Sequence, residues 1–531
     1  MTRAFVLALL LGCGGSAASP DASPPTPDAP PPPPDADACA TSVVASPGTV
    51  ITASGPVTGT LDGSVYAWKG IPYAAPPVGD LRWKAPTAPS CWTDARQTTA
   101  FGAQCPQVDS TSGQVVGDED CLTLNVWAPT AASGAPVMVF IHGGGNTQGT
   151  ASDPTYDGAA LATATGAVVV TFDYRLGALG FFANAGLDAE SPQHVSGNYG
   201  ILDQIAALTW VKTNIAGFGG APGRVMVFGE SAGAQDTLIH VASPLSSGLF
   251  AAATVESGGS YKTTLAQNET AMQAVVDAES CTSASSVPDC MRAVPAQTLA
   301  AIPSAVGPLD SGLRYVPSVD GYVLADTVPN LIAAGTYNQV PMIIGTNGDE
   351  TSRMVVTVKT EADYEAAVQM YYGNAASALL ALYPAASYAS VQAALVAMTT
   401  DVTWTCPIRR LARSASAHQS APVFRYHFTW QAPGATGQLV GSTHGIELPF
   451  VFQTFSSVNG FTPTQGDLAL AAAVDGYWSR LAAAGDVNAT GAVAWPTYDA
   501  STDPYLGLDL TIAPGTGLET TQCDAIDKLA M

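Results

Sequence analysis

The sequence predicts an α/β fold in which a large, mostly parallel central sheet is flanked by helices. Residues 225–228 (Val-Met-Val-Phe) form a short apolar run typical of a strand, and residues 234–239 can continue as a helix. Between them lies a tight turn, residues 229–233 (Gly-Glu-Ser-Ala-Gly). Two further apolar runs, residues 137–141 and residues 340–344, also precede glycine-containing loops. Sheets of this kind bind their ligands at the carboxyl ends of the strands, where such loops meet.

The composition is that of a large globular protein. The chain has 531 residues, of which 47% are hydrophobic and only 12% are charged, so it can bury a large core. Its net charge of −24 disfavours nucleic acid and anionic membrane surfaces as partners. The sequence carries no signal for an oligomeric state.

The N-terminus predicts export. Residues 1–12 begin with a short positive segment and continue as an apolar run, which is the pattern of a signal peptide. The run ends in Leu-Leu-Gly-Cys at Cys13, which resembles a bacterial lipobox, and Gly14 favours the outer membrane by the same resemblance. We therefore expect a lipoprotein that meets the membrane only through a lipid anchor on Cys13. The alternative is an ordinary signal peptide cut near Ala18, which gives a periplasmic or secreted protein.

The composition changes sharply after the signal peptide. Residues 13–38 are mostly Pro, Ala, Ser and Asp, and they predict an extended, disordered tether. The folded domain is expected to span residues 39–531. Eight of the nine cysteines remain after Cys13, an even number that fits an oxidising compartment. None of them lies in a C-x-x-C pattern, so we expect no zinc site.

The turn at residues 229–233 is the most informative motif. A G-x-S-x-G sequence between a strand and a helix is typical of a nucleophile elbow, whose tight turn leaves no room for side chains at the two glycines. Such a turn places the Ser231 hydroxyl above the sheet edge, at the N-terminus of a helix. The alternative interpretation is a flexible Gly/Ser loop. We predict that Ser231 is a nucleophile.

A serine nucleophile needs donors for an oxyanion, a base and an acid. Residues 142–145 (His-Gly-Gly-Gly) directly follow the apolar run of residues 137–141. Three glycines after a buried strand allow backbone N–H groups to face a substrate, and this is the oxyanion motif expected upstream of the elbow. The backbone N–H of Ala232 is the expected third donor.

Six histidines are available as the base. His444 lies in a loop downstream of the acid candidates and is the predicted base. His142 belongs to the glycine motif, where a structural role is expected. His240 follows Ser231 too closely for an acid on a later strand to lie between them. The histidines whose contexts suggest a loop or the surface of a helix or strand are His194, His240, His418 and His427.

The acid is expected on a loop between Ser231 and His444. The strand-like run of residues 340–344 is followed by Asp349 and Glu350. Both carboxylates suit the role, and chemistry alone does not separate them. The alternative is that both are solvated loop acids.

Several blocks of sequence resemble the type-B carboxylesterase family, which includes cholinesterases, liver-type carboxylesterases, fungal lipases and the non-catalytic neuroligins. The blocks are residues 69–83, 119–126, 218–220 and 228–233, and the resemblance runs from about residue 50 to the C-terminus. It implies an α/β-hydrolase fold and the hydrolysis of small-molecule carboxylic esters without a metal or organic cofactor.

The resemblance also implies roles for residues around Ser231. The family's acid is the glutamate of an Asn-x-Asp-Glu turn, which corresponds to Glu350 rather than Asp349. The other implied positions are the oxyanion donors Gly144, Gly145 and Ala232, the buried acid Glu230, Ser257 as a hydrogen-bond donor to the acid, and the ion pairs Arg82–Glu119 and Arg175–Asp203.

Four disulfides are expected. The resemblance implies the pairs Cys105–Cys121 and Cys281–Cys290. The other four cysteines allow three pairings, of which we choose Cys39–Cys91 with Cys406–Cys523. The short Cys105–Cys121 loop contains no Trp or Tyr, which disfavours choline esters as substrates. Asn146, which follows the three glycines, predicts a more polar acyl side of the pocket.

The expected function is therefore that of an exported serine carboxylesterase that hydrolyses short- to medium-chain esters through an acyl-serine intermediate. A lipase for long-chain acyl esters is one alternative. A non-catalytic adhesion protein of the same fold is the other, and it is disfavoured because the chain keeps both the nucleophile Ser231 and the base His444.

Overall fold

The computed structural model describes residue 39 and residues 41–434, 437, 440–457 and 461–529. The predicted signal peptide (residues 1–12) and tether (residues 13–38), with the lipidation site Cys13, lie outside the described residues. In the described part of the chain, no helix combines the length and the apolar character needed to cross a membrane.

The strands are short, and most of them belong to one sheet. Their bounds are β1 (Thr49–Thr52), β2 (Gly55–Thr58), β3 (Thr60–Asp62), β4 (Val65–Pro72), β5 (Arg96–Gln97), β6 (Gln107–Val108), β7 (Val115–Val116), β8 (Thr123–Pro129), β9 (Ala135–Ile141), β10 (Val168–Phe172), β11 (Gly220–Glu230), β12 (Ala252–Glu256), β13 (Met342–Asn347), β14 (Val423–Phe428), β15 (Pro504–Leu508) and β16 (Ala513–Thr516).

The central sheet of the described residues has eleven strands in the order β16-β15-β14-β13-β12-β11-β9-β10-β8-β4-β3. The pairs from β10 through β9, β11, β12, β13 and β14 to β15 are parallel. The pairs at both edges are antiparallel. The predicted large, mostly parallel sheet is therefore confirmed, with antiparallel strands confined to its flanks.

Helices cover both faces of this sheet. Those with described bounds are α1 (Ala159–Thr165), α2 (Gly177–Phe181), α3 (Ala185–Glu190), α4 (Tyr199–Asn214), α5 (Ala232–Ala242), α6 (Leu265–Ala278), α7 (Val287–Arg292), α8 (Ala296–Ala300), α9 (Val328–Ala333), α10 (Glu361–Tyr372), α11 (Ala376–Leu382), α12 (Val391–Thr400), α13 (Cys406–His418), α14 (Leu448–Val451), α15 (Gln465–Ala484) and α16 (Thr520–Ile526). A π-helical turn, Asp401–Thr405, connects α12 to α13.

The alternation of side chains along a strand explains why the central strands are apolar throughout. In β9, Val137 and Val139 pack with residues of α4 and α5, whereas Met138 and Phe140 pack with residues of α15 on the opposite face. Successive side chains of a strand point to opposite faces, so a strand covered on both sides needs a continuous apolar run. The core thus consists of two layers, one on each side of the sheet.

Covalent and ionic links fasten the loops to this core. The structure contains the disulfides Cys39–Cys91, Cys105–Cys121, Cys281–Cys290 and Cys406–Cys523, which are the four expected pairs. It also contains the ion pairs Arg82–Glu119 (2.6 Å) and Arg175–Asp203 (2.7 Å). Disulfides persist in oxidising compartments, so these four indicate an exported protein.

Candidate active site

Ser231 occupies the sharp turn between the strand β11 and the helix α5. The strand ends at Glu230 and the helix begins at Ala232, and Ser231 has φ 58° and ψ −120°. A Cβ atom added to Gly229 would lie 2.4 Å from the carbonyl oxygen of Gly233, because the two arms of the turn are in contact. The glycines are therefore required, and a non-glycine residue at this positive φ stores backbone strain of about 1–3 kcal/mol. The elbow geometry matches the one predicted for residues 229–233.

The glycine loop after β9 lies directly against the elbow. A Cβ atom added to Gly143 would lie 3.0 Å from Cβ of Ser231, so only a glycine permits this approach. Gly144 and Gly145 have φ values of 102° and 64°. Within the described part of the chain, neither of their N–H groups donates a hydrogen bond. Backbone donors placed beside a serine in this way can stabilise a negatively charged oxygen.

Glu350 and His444 meet in a buried hydrogen bond. Glu350 follows β13, has no exposed surface, and accepts a hydrogen bond from Nδ1 of His444 through Oε2 at 2.6 Å. Its other oxygen accepts from the Ser257 hydroxyl at 2.5 Å and from the backbone N–H of Asn347 at 2.7 Å. Three donors therefore fix the carboxylate, which in turn orients the imidazole.

The neighbouring acid, Asp349, has a different set of contacts. Its Oδ2 atom accepts a hydrogen bond from the backbone N–H of Ser442 at 2.9 Å. Asp349 thus fastens the loop that leads to His444. The two acids that the sequence leaves unseparated are separated by geometry, since Glu350 contacts the imidazole through Nδ1.

The other imidazole nitrogen of His444 faces the elbow. Its Nε2 atom lies 3.1 Å from Oε1 of Glu230, without the alignment of a hydrogen bond. Glu230 directly precedes Ser231 and is 5% exposed. Nε2 has no hydrogen-bond partner among the described residues, so it remains available to a group at the elbow.

The carboxylates control the protonation of His444. Burial lowers the pKa of the imidazole, but Glu230 and Glu350 outweigh that effect and raise it to about 10. Burial raises the pKa of Glu230 to about 7, although the charge of His444 acts in the opposite direction. The surroundings therefore stabilise the imidazolium, which is the form that a general base acquires when it accepts a proton.

Two further buried acids lie close to Glu350 and Ser257, and no sequence motif marks them. Oε2 of Glu447 accepts from the side chain of Asn347 at 2.5 Å, and Oε1 of Glu256 accepts from the indole of Trp478 at 2.6 Å. Burial raises the pKa of Glu256 to about 8, and burial together with Glu230 raises the pKa of Glu447. Both acids are close in sequence to predicted residues, to Ser257 in one case and to His444 in the other, and that proximity is the signal that could have found them.

Asn146 lies behind the glycine loop and not in the pocket. It is fully buried, and its Nδ2 atom donates to Asp236 (3.2 Å) and to the Tyr261 hydroxyl (3.2 Å). The Tyr174 hydroxyl donates to its Oδ1 atom at 3.1 Å. The expectation that Asn146 makes the acyl side more polar is wrong, because its amide is consumed by these three contacts. Asn146 instead anchors the glycine loop to α5.

The contacts of Asp236 continue into the interior. Its Oδ2 atom accepts from the Gln204 amide at 2.7 Å, and Oε1 of Gln204 contacts Nε2 of His240 at 2.8 Å. Nδ1 of His240 lies 2.9 Å from the Ser246 hydroxyl. The expectation that His240 lies at the surface is wrong, since it is fully buried between α4 and the end of α5.

A cavity of about 580 Å³ opens beside the elbow. Ser231, Ala232 and Gly145 line one part of it, and Trp404 and Val306 line another. The Trp404 ring, on the π-helical turn, lies 5.0 Å from the His444 ring. This volume suits a small organic molecule. No sequence motif marks Trp404, which reaches the site only because α12 and α13 place it there.

The remaining histidines lie apart from these contacts. His142 is buried, stacks on Tyr174 with ring centroids 4.5 Å apart, and has a pKa that burial lowers to about 4. His427 lies on β14, and burial lowers its pKa to about 4. Nδ1 of His418 lies 2.8 Å from the Ser414 carbonyl oxygen. His194 lies on a turn after α3.

Comparison with known proteins agrees with the fold and the site. Residues 46–526 match the model of the carboxylesterase family. The chain is 37% identical to the fumonisin B1 esterase of Sphingopyxis macrogoltabida over 470 residues, which covers 84% of each chain. It is 35% identical to the para-nitrobenzyl esterase of Bacillus subtilis (strain 168) over 480 residues, which covers 87% of this chain and 95% of that one.

Solved structures of esterases have the same fold as this chain. A PNB esterase structure superposes with a TM-score of 0.78 at 34% identity and covers 91% of this chain and 100% of its own. The predicted α/β-hydrolase fold is confirmed, and the relatives named above are esterases, which does not favour the lipase or adhesion alternatives. The chain belongs to the carboxylesterase family, type B, and is a carboxylic-ester hydrolase.

Proposed function

We propose that Ser231, His444 and Glu350 form the catalytic triad of this esterase and that hydrolysis proceeds through an acyl-serine. One observation carries the proposal. The hydrogen bond of 2.6 Å between His444 Nδ1 and Glu350 Oε2 leaves Nε2 unpaired beside the residue that precedes Ser231. A nucleophile, a base and an acid that orients the base are the parts that acyl transfer requires.

In the first half of the reaction, His444 Nε2 accepts the Ser231 proton while Oγ attacks the ester carbonyl carbon. The backbone N–H groups of Gly144, Gly145 and Ala232 stabilise the resulting oxyanion. Collapse of the tetrahedral intermediate breaks the bond to the alcohol oxygen, which takes the proton from the imidazolium. The alcohol leaves, and the acyl group remains on Ser231.

In the second half, water replaces the alcohol. His444 accepts a proton from the water, whose oxygen attacks the acyl carbon, and the acid departs as Ser231 recovers its proton. Glu350 holds the imidazole and balances its charge in both halves. Ser257 supports Glu350 from behind, and Glu230 adds a second negative charge near the imidazolium.

The substrates that we propose are carboxylic esters of short to medium chain length. A cavity of about 580 Å³ beside Ser231 has room for a short acyl group and a small alcohol. The relatives are named for fumonisin B1 and para-nitrobenzyl substrates, so membership of the family is compatible with different esters.

The triad is tested by replacing the nucleophile. Ser231→Ala should abolish hydrolysis of p-nitrophenyl acetate, whereas Ser247→Ala, at an exposed serine on the loop after α5, should leave the rate unchanged. A fluorophosphonate probe should label the wild-type protein on the peptide that contains Ser231. Retained hydrolysis in Ser231→Ala, or a label on another residue, would place the nucleophile elsewhere.

We further propose that residues 1–12 are removed as a signal peptide, that Cys13 carries a lipid, and that residues 13–38 tether the domain of residues 39–531 to the outer membrane. The four disulfides support export. Mass spectrometry of the mature N-terminus in the native host should show an acylated Cys13. An unmodified chain that begins further along would contradict the lipid anchor.

A further inference from the structure

The cavity beside Ser231 contains two positive side chains and no carboxylate. Lys262 and Arg314 both line it, and no Asp or Glu is among the described residues that do so. Lys262 lies on the loop between β12 and α6, and Arg314 lies on the loop between α8 and α9. Two separate loops therefore bring positive charge to the same space as the elbow.

This concentration of positive charge is unusual for the chain. The sequence has 19 Lys and Arg residues against 43 Asp and Glu residues. Most of the buried or half-buried cations of the described residues are neutralised by carboxylates within 4.0 Å, and these include Arg82, Arg175, Arg292, Arg409 and Arg425. Lys262 and Arg314 form no ion pair with any described residue, so their charges remain available in a molecule rich in carboxylates.

Arg314 is held in place without being neutralised. Its Nη2 atom donates to the carbonyl oxygens of Pro308 (3.2 Å) and Asp310 (2.5 Å). These backbone acceptors orient the guanidinium and leave its charge intact. The Arg314 side chain is half-buried, whereas Lys262 is exposed. Nε and Nη1 of Arg314 donate to no described residue, so they remain available to a carboxylate, and hydrogen bonds between ionised groups are stronger than those between neutral groups.

The acids of the site do not cancel this charge. Glu350 is fully buried and Glu230 is 5% exposed, and both lie against the imidazole of His444. Both carboxylates contact that imidazole, and neither forms an ion pair with Lys262 or Arg314. A negatively charged part of a ligand in the cavity would face the cations, whose field a cleft with low-dielectric walls concentrates.

We propose that the preferred substrates are esters that carry a free carboxylate, which binds between Lys262 and Arg314 while Ser231 attacks the ester carbonyl. The inference rests on the proposed function and adds the charge of the substrate to it. Half-esters of dicarboxylic acids, with the carboxylate in the acid portion, and esters of hydroxy acids, with the carboxylate in the alcohol portion, are the two sources of this chemistry.

The test compares esters that differ only in charge. Monomethyl adipate and methyl hexanoate have acyl chains of equal length, and 6-acetoxyhexanoate and hexyl acetate form the corresponding pair for the alcohol. In pH-stat assays, kcat/KM of the wild-type protein should be at least about 10-fold higher for the charged member of one pair, since a hydrogen-bonded charge contact is worth about one to two orders of magnitude. The pair that shows the preference identifies the portion that carries the carboxylate.

Variants connect the preference to the two cations. Lys262→Gln combined with Arg314→Gln should lower kcat/KM about 10- to 100-fold for the charged ester and less than about 3-fold for its neutral partner. Lys262→Arg should retain the preference. The matched control, Lys212→Gln with Lys359→Gln, removes two exposed cations outside the cavity and should leave both rates unchanged. Added salt should weaken the preference of the wild-type protein, because it screens the charges.

The outcomes separate this inference from the proposed function. If the wild-type protein hydrolyses both charged esters no faster than the neutral ones, or if the double variant loses both activities equally, the substrate inference is overturned and the triad is unaffected. If Ser231→Ala retains activity, the proposed function itself fails.

Discussion

Two histidines of this fold differ in their surroundings and in their chemistry. His444 approaches the elbow from the loop after β14, and His240 lies near the end of α5. The side chain of His444 is 14% exposed, and His240 is fully buried. The pKa of His444 is raised to about 10, whereas burial lowers the pKa of His240 to about 3.

The nearest partners explain the difference. His444 has a carboxylate at each nitrogen, Glu350 at 2.6 Å and Glu230 at 3.1 Å. His240 has an amide oxygen, that of Gln204, and a hydroxyl. The carboxylate of Asp236 lies one side chain further away, beyond Gln204. Burial alone favours the neutral imidazole, whereas direct contact with carboxylates stabilises the imidazolium that forms when a proton is accepted.

The largest expected effect separates the two histidines by activity. His444→Gln should lower kcat/KM for p-nitrophenyl acetate by about 10⁵-fold, since loss of the base disables a triad as a unit. His240→Gln should lower kcat/KM less than about 10-fold, because the His240 side chain contacts Gln204 and Ser246 and neither Ser231 nor His444. Equal losses, measured in folded protein, would show that the two histidines do not differ in function.

The second largest effect is expected from a variant that gives His444 an amide neighbour, as His240 has in Gln204. Glu350→Gln replaces the carboxylate by an amide of the same shape and should lower kcat about 10³- to 10⁴-fold, since the imidazole loses the charge that stabilises its protonated form. Asp349→Asn, which alters the contacts with Ser442 and Gln431 and none with His444, should have a much smaller effect. Steady-state kinetics of both variants decides between the acids, and the reverse order of losses would assign the role to Asp349.

The third effect concerns stability. His240→Gln leaves Gln204 and Ser246 with an imperfect partner and should reduce the free energy of unfolding by about 1–3 kcal/mol at neutral pH. The folded pKa of about 3 lies below the ordinary 6.5, so the unfolded chain binds the extra proton between these values and the wild-type protein loses stability as pH falls through them.

The His240→Gln variant has no imidazole at this position, so its unfolded chain lacks this proton uptake. Between pH 6.5 and pH 5, the wild-type protein should therefore lose about 2 kcal/mol that the variant does not lose, and the two unfolding curves should converge in acid. Urea unfolding with intact disulfides at pH 7.5 and pH 5.0 measures this. A constant difference between the curves would mean that His240 is not kept neutral in the folded state.

The smallest effect is a shift in a pH profile. Glu230 helps to raise the pKa of His444, so Glu230→Gln should lower that pKa. Because the proposed base acts in its neutral form, a lower pKa keeps it active at lower pH, and the acid limb of kcat/KM should move towards lower pH. Glu365→Gln, on the exposed side of α10, is the matched control. An unmoved limb in Glu230→Gln would show that Glu350 alone sets the pKa.

The elements that the sequence predicts well are those with local patterns. The apolar runs identify β9, β11 and β13, and the turn at residues 229–233 has its shape because only glycines fit there. A local pattern does not identify Glu350 as the acid. Its contact with His444 joins two distant loops, and its neighbour Asp349 carries the same chemical group.

The rest depends on contacts that no local pattern encodes. Trp404 reaches His444 through a π-helical turn, and Glu447 gains its surroundings from three different strands and loops. Asn146 follows the three glycines in sequence, which predicts a place for its side chain on the acyl side of the pocket. Its left-handed backbone, with φ 58°, directs the side chain towards Asp236 instead.

The order of the catalytic elements along the chain has a consequence for biosynthesis. Ser231 follows β11, whereas Glu350 and His444 follow β13 and β14, which are synthesised later. At about 5–20 residues per second, the ribosome needs on the order of 10 s or more to pass from the serine to the histidine. A nascent chain therefore carries Ser231, the proposed nucleophile, without the acid and the base that we propose to activate it. The onset of ester cleavage during refolding or translation should report the moment at which β14 joins the sheet.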